Sequence, residues 1–283
     1  MSDLVRQDVV LRPKTVEPRI VAMREFGVGS RPTVAISLAT VIAIIAVWYL
    51  VSKLGLVAHL FLPSPAEVVN QAVLIFHDGY AGASLWEHVS ASLTRIVSAA
   101  LIAISLGIPI GLAMGLNRWA KGIFDTPIEF YWPLPPLAYL PLMIIWLGIG
   151  ETSKITLLVL AMFAPICLSA QAGVRSLPIE RVNGALTLGA SRWQLFFSIV
   201  LPSALPEILT GIRIALGVGW STLVAAELVA ASRGLGFMIQ SAAQFLVTDV
   251  VIKGIFVIAG IAFVLELGVR RIESVLVPWA GRT

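Results

Sequence analysis

Long apolar runs alternate with short polar breaks along this chain. The runs occupy residues 33–51, 89–116, 126–147, 155–173, 207–226 and 250–268. At about 1.5 Å per helical residue, each is long enough to cross the roughly 30 Å hydrocarbon layer of a bilayer. The pattern predicts an all-α integral membrane protein with about six transmembrane helices. Between the first two runs, residues 61–78 read as a shorter amphipathic helix. Ser64 caps it, Pro65 suits its first position, and Glu67 completes a Ser-x-x-Glu capping box. Val69, Ala72, Val73 and Phe76 then fall on one face. Its length suits the membrane surface rather than a crossing.

Small residues and prolines give the spans individual characters. Gly107, Gly111 and Gly115 recur every four residues in the second run, and Gly211, Ala215 and Gly219 do so in the fifth. Each stripe is a bare face suited to close helix packing. Pro109 bends the second run. The third run carries Pro127, Pro133, Pro135, Pro136 and Pro141. Prolines free backbone carbonyls, which membrane depth tolerates only against protein or a wet cavity. Either a kinked packing helix or a pathway-lining segment meets that condition. Asn117 to Lys121 reads as a short basic loop, residues 148–154 as a tight turn, and residues 237–245 as a short amphipathic piece.

The longest polar interruption, residues 175–206, has internal logic. Val182, Leu186, Gly189, Trp193, Phe197 and Val200 form an apolar stripe at helical spacing. Gly189 can end a first helix in the left-handed conformation. Ser191 can cap a second helix, with Gln194 as its capping partner. Pro202 and Pro206 are expected to stop that helix before the fifth span. The product is a helix–turn–helix hairpin on the membrane face. It is either a docking surface or a solvated hairpin.

Composition agrees with the pattern. The 283 residues are 58% hydrophobic and 13% charged, and mean hydropathy is +0.93. The net charge of +4 reflects basic loops rather than a nucleic-acid surface, since no basic stripe or aromatic platform accompanies it. Cys167 is the only cysteine and forms no intrachain disulfide. His59, His77 and His88 lack metal-ligand spacing. No nucleotide-binding, hydrolase or zinc-protease motif is present, so the chain is read as non-catalytic and as holding no metal or cofactor.

Basic residues orient the chain. With the N-terminus inside, the inside segments hold six, two, three and three Lys or Arg, against Lys53, Lys154, Arg233 and Lys253 outside. Fourteen against four is a positive-inside bias. It places both termini and the 175–206 loop in the cytoplasm. Ionisable groups within or beside spans are candidates for the pathway. Arg213 is the first choice for an anionic solute, unless it snorkels or pairs with Glu207. Trp220, Glu227, Glu129 and Tyr139 complete the set. Glu266 and Arg270 read as a simple helix pair.

The loop also resembles a known element. Asn183-Gly184-Ala185, then Gly189-Ala190-Ser191-Arg192, then Leu201-Pro202 are similar to the coupling loop of ABC importer permeases. The family form is Glu-Ala-Ala, three residues, Gly, and a later Leu-Pro. Further strings resemble permeases of the taurine, aliphatic sulfonate and nitrate group. They include Phe61-Leu62-Pro63-Ser64-Pro65, Ser92-Leu93-Thr94-Arg95, Gly107-Ile108-Pro109 and Pro135-Pro136-Leu137-Ala138-Tyr139. Trp146 through Lys154, Gly217 through Glu227 and Arg233-Gly234-Leu235-Gly236-Phe237 continue the likeness. It runs from about residue 40 onward, and its middle and end strings are most like the taurine branch. Asn183-Gly184 departs from the pattern: the acid is gone, and Gly184 costs roughly 1 kcal/mol of helix stability relative to Ala.

The resemblance implies a type I ABC importer permease fold and a division of the chain. Residues 1–31 would be a cytoplasmic tail. Residues 32–85 would hold the first span and a periplasmic amphipathic helix. Residues 86–272 would be the permease core, and 273–283 a cytoplasmic tail. It implies a bacterial inner-membrane homodimer, two separate ATPase subunits carrying ATP and Mg, and a periplasmic binding protein. The expected solute is taurine, with an alkanesulfonate or nitrate as alternatives. A secondary transporter is the rival class, although no inverted repeat is visible. A membrane enzyme would need a polar catalytic cluster at one membrane face, and none is evident.

Overall fold

The computed structural model of the chain describes residues 34–58, 61–68 and 79–278. The basic tail and the apolar face expected at Val69, Ala72, Val73 and Phe76 lie outside the described residues. The chain divides into two units, residues 1–47 and 48–283. Helix α1, Val34–Lys53, carries exposed Ile36, Val41, Ile44 and Val47, a surface suited to lipid. At the start of the second unit, Trp48 stacks on Phe256 and donates its indole N–H to the Pro63 carbonyl at 3.1 Å. The predicted capping box forms: the Ser64 and Glu67 N–H groups donate to each other's side chains at 2.9 and 3.3 Å.

Three long helices carry the core of the second unit: α2, Leu85–Leu116, α5, Glu151–Arg175, and α8, Leu201–Ala230. Helix α2 packs along α5, and α5 along α8. The glycine stripes explain the closeness. A Cβ at Gly111 would collide with the Cys167 carbonyl oxygen of α5. Gly107 and Gly115 meet Ile166 and Val174 of the same helix, and Gly211 and Gly219 press on Ser169 and Met162. Ile96, Ala99, Ala103, Leu158, Met162, Ala215 and Leu223 fill the layer between them. Helix α2 begins earlier than its apolar run, because Ser84 and Glu87 form a second capping box.

The third span departs from expectation. Residues 117–121 are not a loop. The Asn117 side chain accepts the Trp119 N–H at 2.8 Å and starts helix α3, Arg118–Tyr131. A break follows at 132–135, then a 3-10 turn, Pro136–Tyr139, and helix α4, Leu140–Leu147. The two halves meet at 93°, so this is a broken span rather than a kinked helix. The turn at Gly148 ends by Gly150, because Glu151 already opens α5.

The remaining elements are α6, Ile179–Thr187, α7, Arg192–Leu195, α9, Leu235–Gln244, and α10, Thr248–Leu276. Pro202 and Pro206 do not stop a helix. A single π turn at Phe196–Val200 joins α7 to α8. Its last bond, from the Leu201 N–H back to the Phe196 carbonyl, falls just before Pro202. The missing proline N–H therefore coincides with a ladder that has already changed register. The last helix runs on past its apolar stretch to Leu276. Among the described residues, five helices are long and apolar enough to cross a membrane, or six if the bent pair counts as one.

Candidate functional site

The hairpin takes the predicted shape. Gly189 has φ +80° and sits just past α6. The Ala190 N–H reaches back to the Ala185 carbonyl, and the Gly189 N–H to Leu186, both at 3.0 Å. This paired closure is the Schellman ending, which needs a left-handed residue where Gly189 stands. Ser191 then caps α7: its N–H donates to Gln194 Oε1 at 2.8 Å, and the Gln194 N–H returns to Ser191 Oγ at 3.3 Å.

The expected single apolar stripe divides in two. Val200, Leu195 and Phe196 seat the hairpin against Leu112, Ala170, Val174 and Ala204. Leu188 is 90% exposed and Trp193 74%. Trp193 stacks on Phe197 at 5.8 Å, and Leu186 and Ile179 are also bare. Asn183, Gly184 and Arg192 lie exposed beside them, whereas Ala185 and Ala190 are half-buried. Leu201 and Pro202 belong to α8 and are half-buried. Glu180 occupies the first turn of α6, where a carboxylate suits the helix dipole. A bare apolar patch therefore sits on a hairpin capped at its bend. The rod from Arg192 to Val229 spans 38 residues and runs from the hairpin to the opposite end of α8.

That opposite end holds a buried ionic latch. Glu227 is fully buried, which removes it from an open pathway. Its carboxylate accepts Ser92 Oγ at 2.8 Å, Arg95 Nη1 at 2.6 Å and the Gly236 N–H at 2.8 Å. Arg95 also grips Glu151 with two bonds, at 2.5 and 2.8 Å, and donates to the Arg233 carbonyl. Lys154 adds a bond to Glu151 at 3.0 Å. Ser92 Oγ accepts the Leu235 N–H. His88 is fully buried beside them; the Gly234 N–H donates to its Nδ1, so its Nε2–H donates to the Tyr80 carbonyl. Gly234 has φ +135°, and a Cβ there would strike the Glu227 carboxylate. Two cations and two anions therefore close a neutral set tying α2, α5, α8 and the turn before α9.

The sequence reading left Arg95, Glu151 and Ser92 without a role. The signal was present, since the Ser92–Arg95, Trp146–Lys154, Gly217–Glu227 and Arg233–Phe237 strings converge here. What joins them is the packing of α8 antiparallel to the parallel pair α2 and α5, which no local pattern records.

The other pathway candidates scatter. Arg213 pairs with Glu266 at 2.7 Å and Glu273 at 3.6 Å of α10, not with Glu207. Glu266 also meets Arg270 at 3.0 Å, so the expected helix pair is part of a larger cluster. Because Arg213 is half-buried and paired, Arg213→Ala is expected to cost about 1 kcal/mol or less and to leave solute uptake within about twofold of wild type; uptake kinetics check this. Trp220 lies in the core with Ile96 and Met162, and its indole N–H is buried without a partner among the described residues. Glu129 is exposed on α3. Tyr139 lines a cavity at the broken span.

Comparisons with known proteins agree with this anatomy. The taurine transport system permease protein TauC of Escherichia coli K12 is 57% identical over 249 residues, covering 88% of this chain and 90% of that protein. The putative aliphatic sulfonates transport permease SsuC of the same organism is 37% identical over 242 residues, covering 84% and 89%. Among solved structures, an inward-facing form of the MetNI methionine ABC transporter superposes with a TM-score of 0.57 at 16% identity. It covers 68% of this chain and 95% of that one, and shows that the fold is that of a type I ABC importer permease. Residues 103–276 match the description of a binding-protein-dependent transport system inner membrane component. The chain therefore belongs to that family of multi-pass inner-membrane permeases, the membrane subunits of ATP-driven importers.

Proposed function

We propose that this chain forms the translocation pathway of an importer for taurine, working as a homodimer. Two copies of a separate ATPase dock on the two hairpins, and ATP and Mg are held there rather than by this chain. A periplasmic binding protein delivers the solute to the end that carries the latch. Both termini and the hairpin lie in the cytoplasm, in keeping with the basic residues counted along the sequence. The observation that carries the reading is the capped hairpin, with its bare Trp193, Phe197 and Leu188, continuous with the 38-residue rod. Closing of the ATPases moves the hairpins, and the rods convey that motion toward the outer face. Such alternation needs two packings close in energy, with the nucleotide favouring one. The missing acid at Asn183 means that shape and apolar contact, more than charge, carry the coupling.

The solute is read from the 57% identity to a taurine permease. Expressed with its own ATPase and binding protein in a strain lacking taurine and sulfonate permeases, the chain is expected to support saturable, ATP-dependent uptake of radiolabelled taurine. Uptake of alkanesulfonate or nitrate in place of taurine would reassign the solute. Uptake without the ATPase would overturn the importer reading.

A further inference from the structure

We propose that the cavity at the broken span binds the ammonium end of the transported solute; this rests on the importer reading above and assigns the permease a solute site of its own. The cavity measures about 250 Å³, enough for a small organic molecule. Its floor is Leu160 and Ala161 of α5 and Val218 of α8. Leu160 and Ala161 stand nine and ten residues past Glu151, roughly 14–15 Å along a helix axis. The cavity therefore sits near the middle of the bundle, at a depth where polar groups need partners from protein or solute.

Its chemistry is one-sided. Tyr131, Trp132 and Tyr139 present three aromatic rings, and no Lys, Arg, Asp or Glu lines it. Pro133, Pro135 and Pro136 line the same wall and carry no N–H, so the backbone that would cradle an anion has lost its donors. Acceptors remain in excess. The Trp132 carbonyl faces proline at both the third and fourth positions ahead, so it can take neither a 3-10 nor an α-helical bond. The Tyr131 hydroxyl adds nothing to them: it is buried off the wall, on a ring packed against Met114, Ala164 and Cys167. Aromatic faces and carbonyls left without helical donors match a primary ammonium and mismatch a sulfonate. The site thereby distinguishes an aminosulfonate, which has an ammonium, from an alkanesulfonate, which lacks one.

The test uses the permease assembled with its ATPase in detergent, without the binding protein, and radiolabelled taurine as probe. Ethylammonium is expected to displace taurine, and ethanesulfonate is not. Trp132→Leu and Tyr139→Leu, which each remove a lining ring, are expected to weaken binding about tenfold, with thermal melting of the complex little changed. Displacement by ethanesulfonate but not ethylammonium overturns the proposal. So does the absence of saturable binding, or binding unaffected by both variants. Parallel uptake with the binding protein separates the two claims. If the wild-type chain imports taurine while these binding results fail, only the ammonium site falls. If it imports none, the taurine reading falls with it.

Discussion

Replacing Glu227 by Ala is expected to remove about 3–5 kcal/mol of stability, because it leaves Arg95 buried without one of its two carboxylate partners. Two donors lose their acceptor at once, Ser92 Oγ and the Gly236 N–H, and Arg95 Nη1 keeps only the Arg233 carbonyl. None has a route to water, since Glu227 is fully buried and Arg95 nearly so. The permease–ATPase complex in detergent should melt several degrees lower, and its abundance in membranes should drop. Glu227→Gln retains the shape and one good acceptor, so it is expected to fall between Ala and wild type. An Ala variant that melts within a degree of wild type would show that the latch contributes nothing to the fold. Glu151 offers the contrast. Its carboxylate is more than half exposed, so Glu151→Ala opens Arg95 to solvent and should cost less than Glu227→Ala.

Gly189→Val is expected to reduce ATP-driven uptake about tenfold while leaving membrane insertion intact, since holding an L-residue left-handed costs roughly 1–2 kcal/mol and a β-branched one more. The cause is conformational and not steric: no atom lies within 4 Å of where a Cβ would stand, yet φ is +80°. Valine would push φ negative, break the Ala190-to-Ala185 closure and re-aim α7 with its exposed Trp193. The spans themselves pack elsewhere, so insertion and abundance are retained. Asn tolerates the left-handed region far better, and Gly189→Asn should keep most of the uptake. Measuring uptake beside basal ATP hydrolysis separates uncoupling from loss of the complex. Valine and asparagine variants that transport equally well would mean that the bend does not set the docking geometry.

The hairpin was legible in the sequence because its determinants are local. Ser191 and Gln194 are three residues apart, and Gly189 is one residue past the C-cap Leu188; capping chemistry acts over that range. The glycine stripes were legible for the same reason, being one face of a single helix. Pro202 misled because a π turn five residues long, Phe196–Val200, changes the register just before it, and Pro206 because α8 carries it inside the helix. Nothing in proline's own chemistry announces such a register change. Arg213 misled because its partners, Glu266 and Glu273, lie more than fifty residues away on α10. Glu227 misled in the opposite sense. An acid at a span end reads as functional by default, and only packing shows it enclosed by Ser92, Arg95 and the Gly236 N–H.

By itself, the sequence determined that this chain lives in a membrane, where its helices run, and that a capped hairpin interrupts them. Apolar length, charge bias and capping act through neighbours on the chain or through the solvent, so they can be read in one dimension. Only the tertiary structure decided that the third span is broken at 93° around a cavity, that the hairpin continues as one rod into α8, and that four distant strings close a single latch. Those features depend on which faces meet when α2, α5 and α8 pack, and glycine-to-backbone contact such as Gly111 on Cys167 fixes that meeting within a few tenths of an ångström.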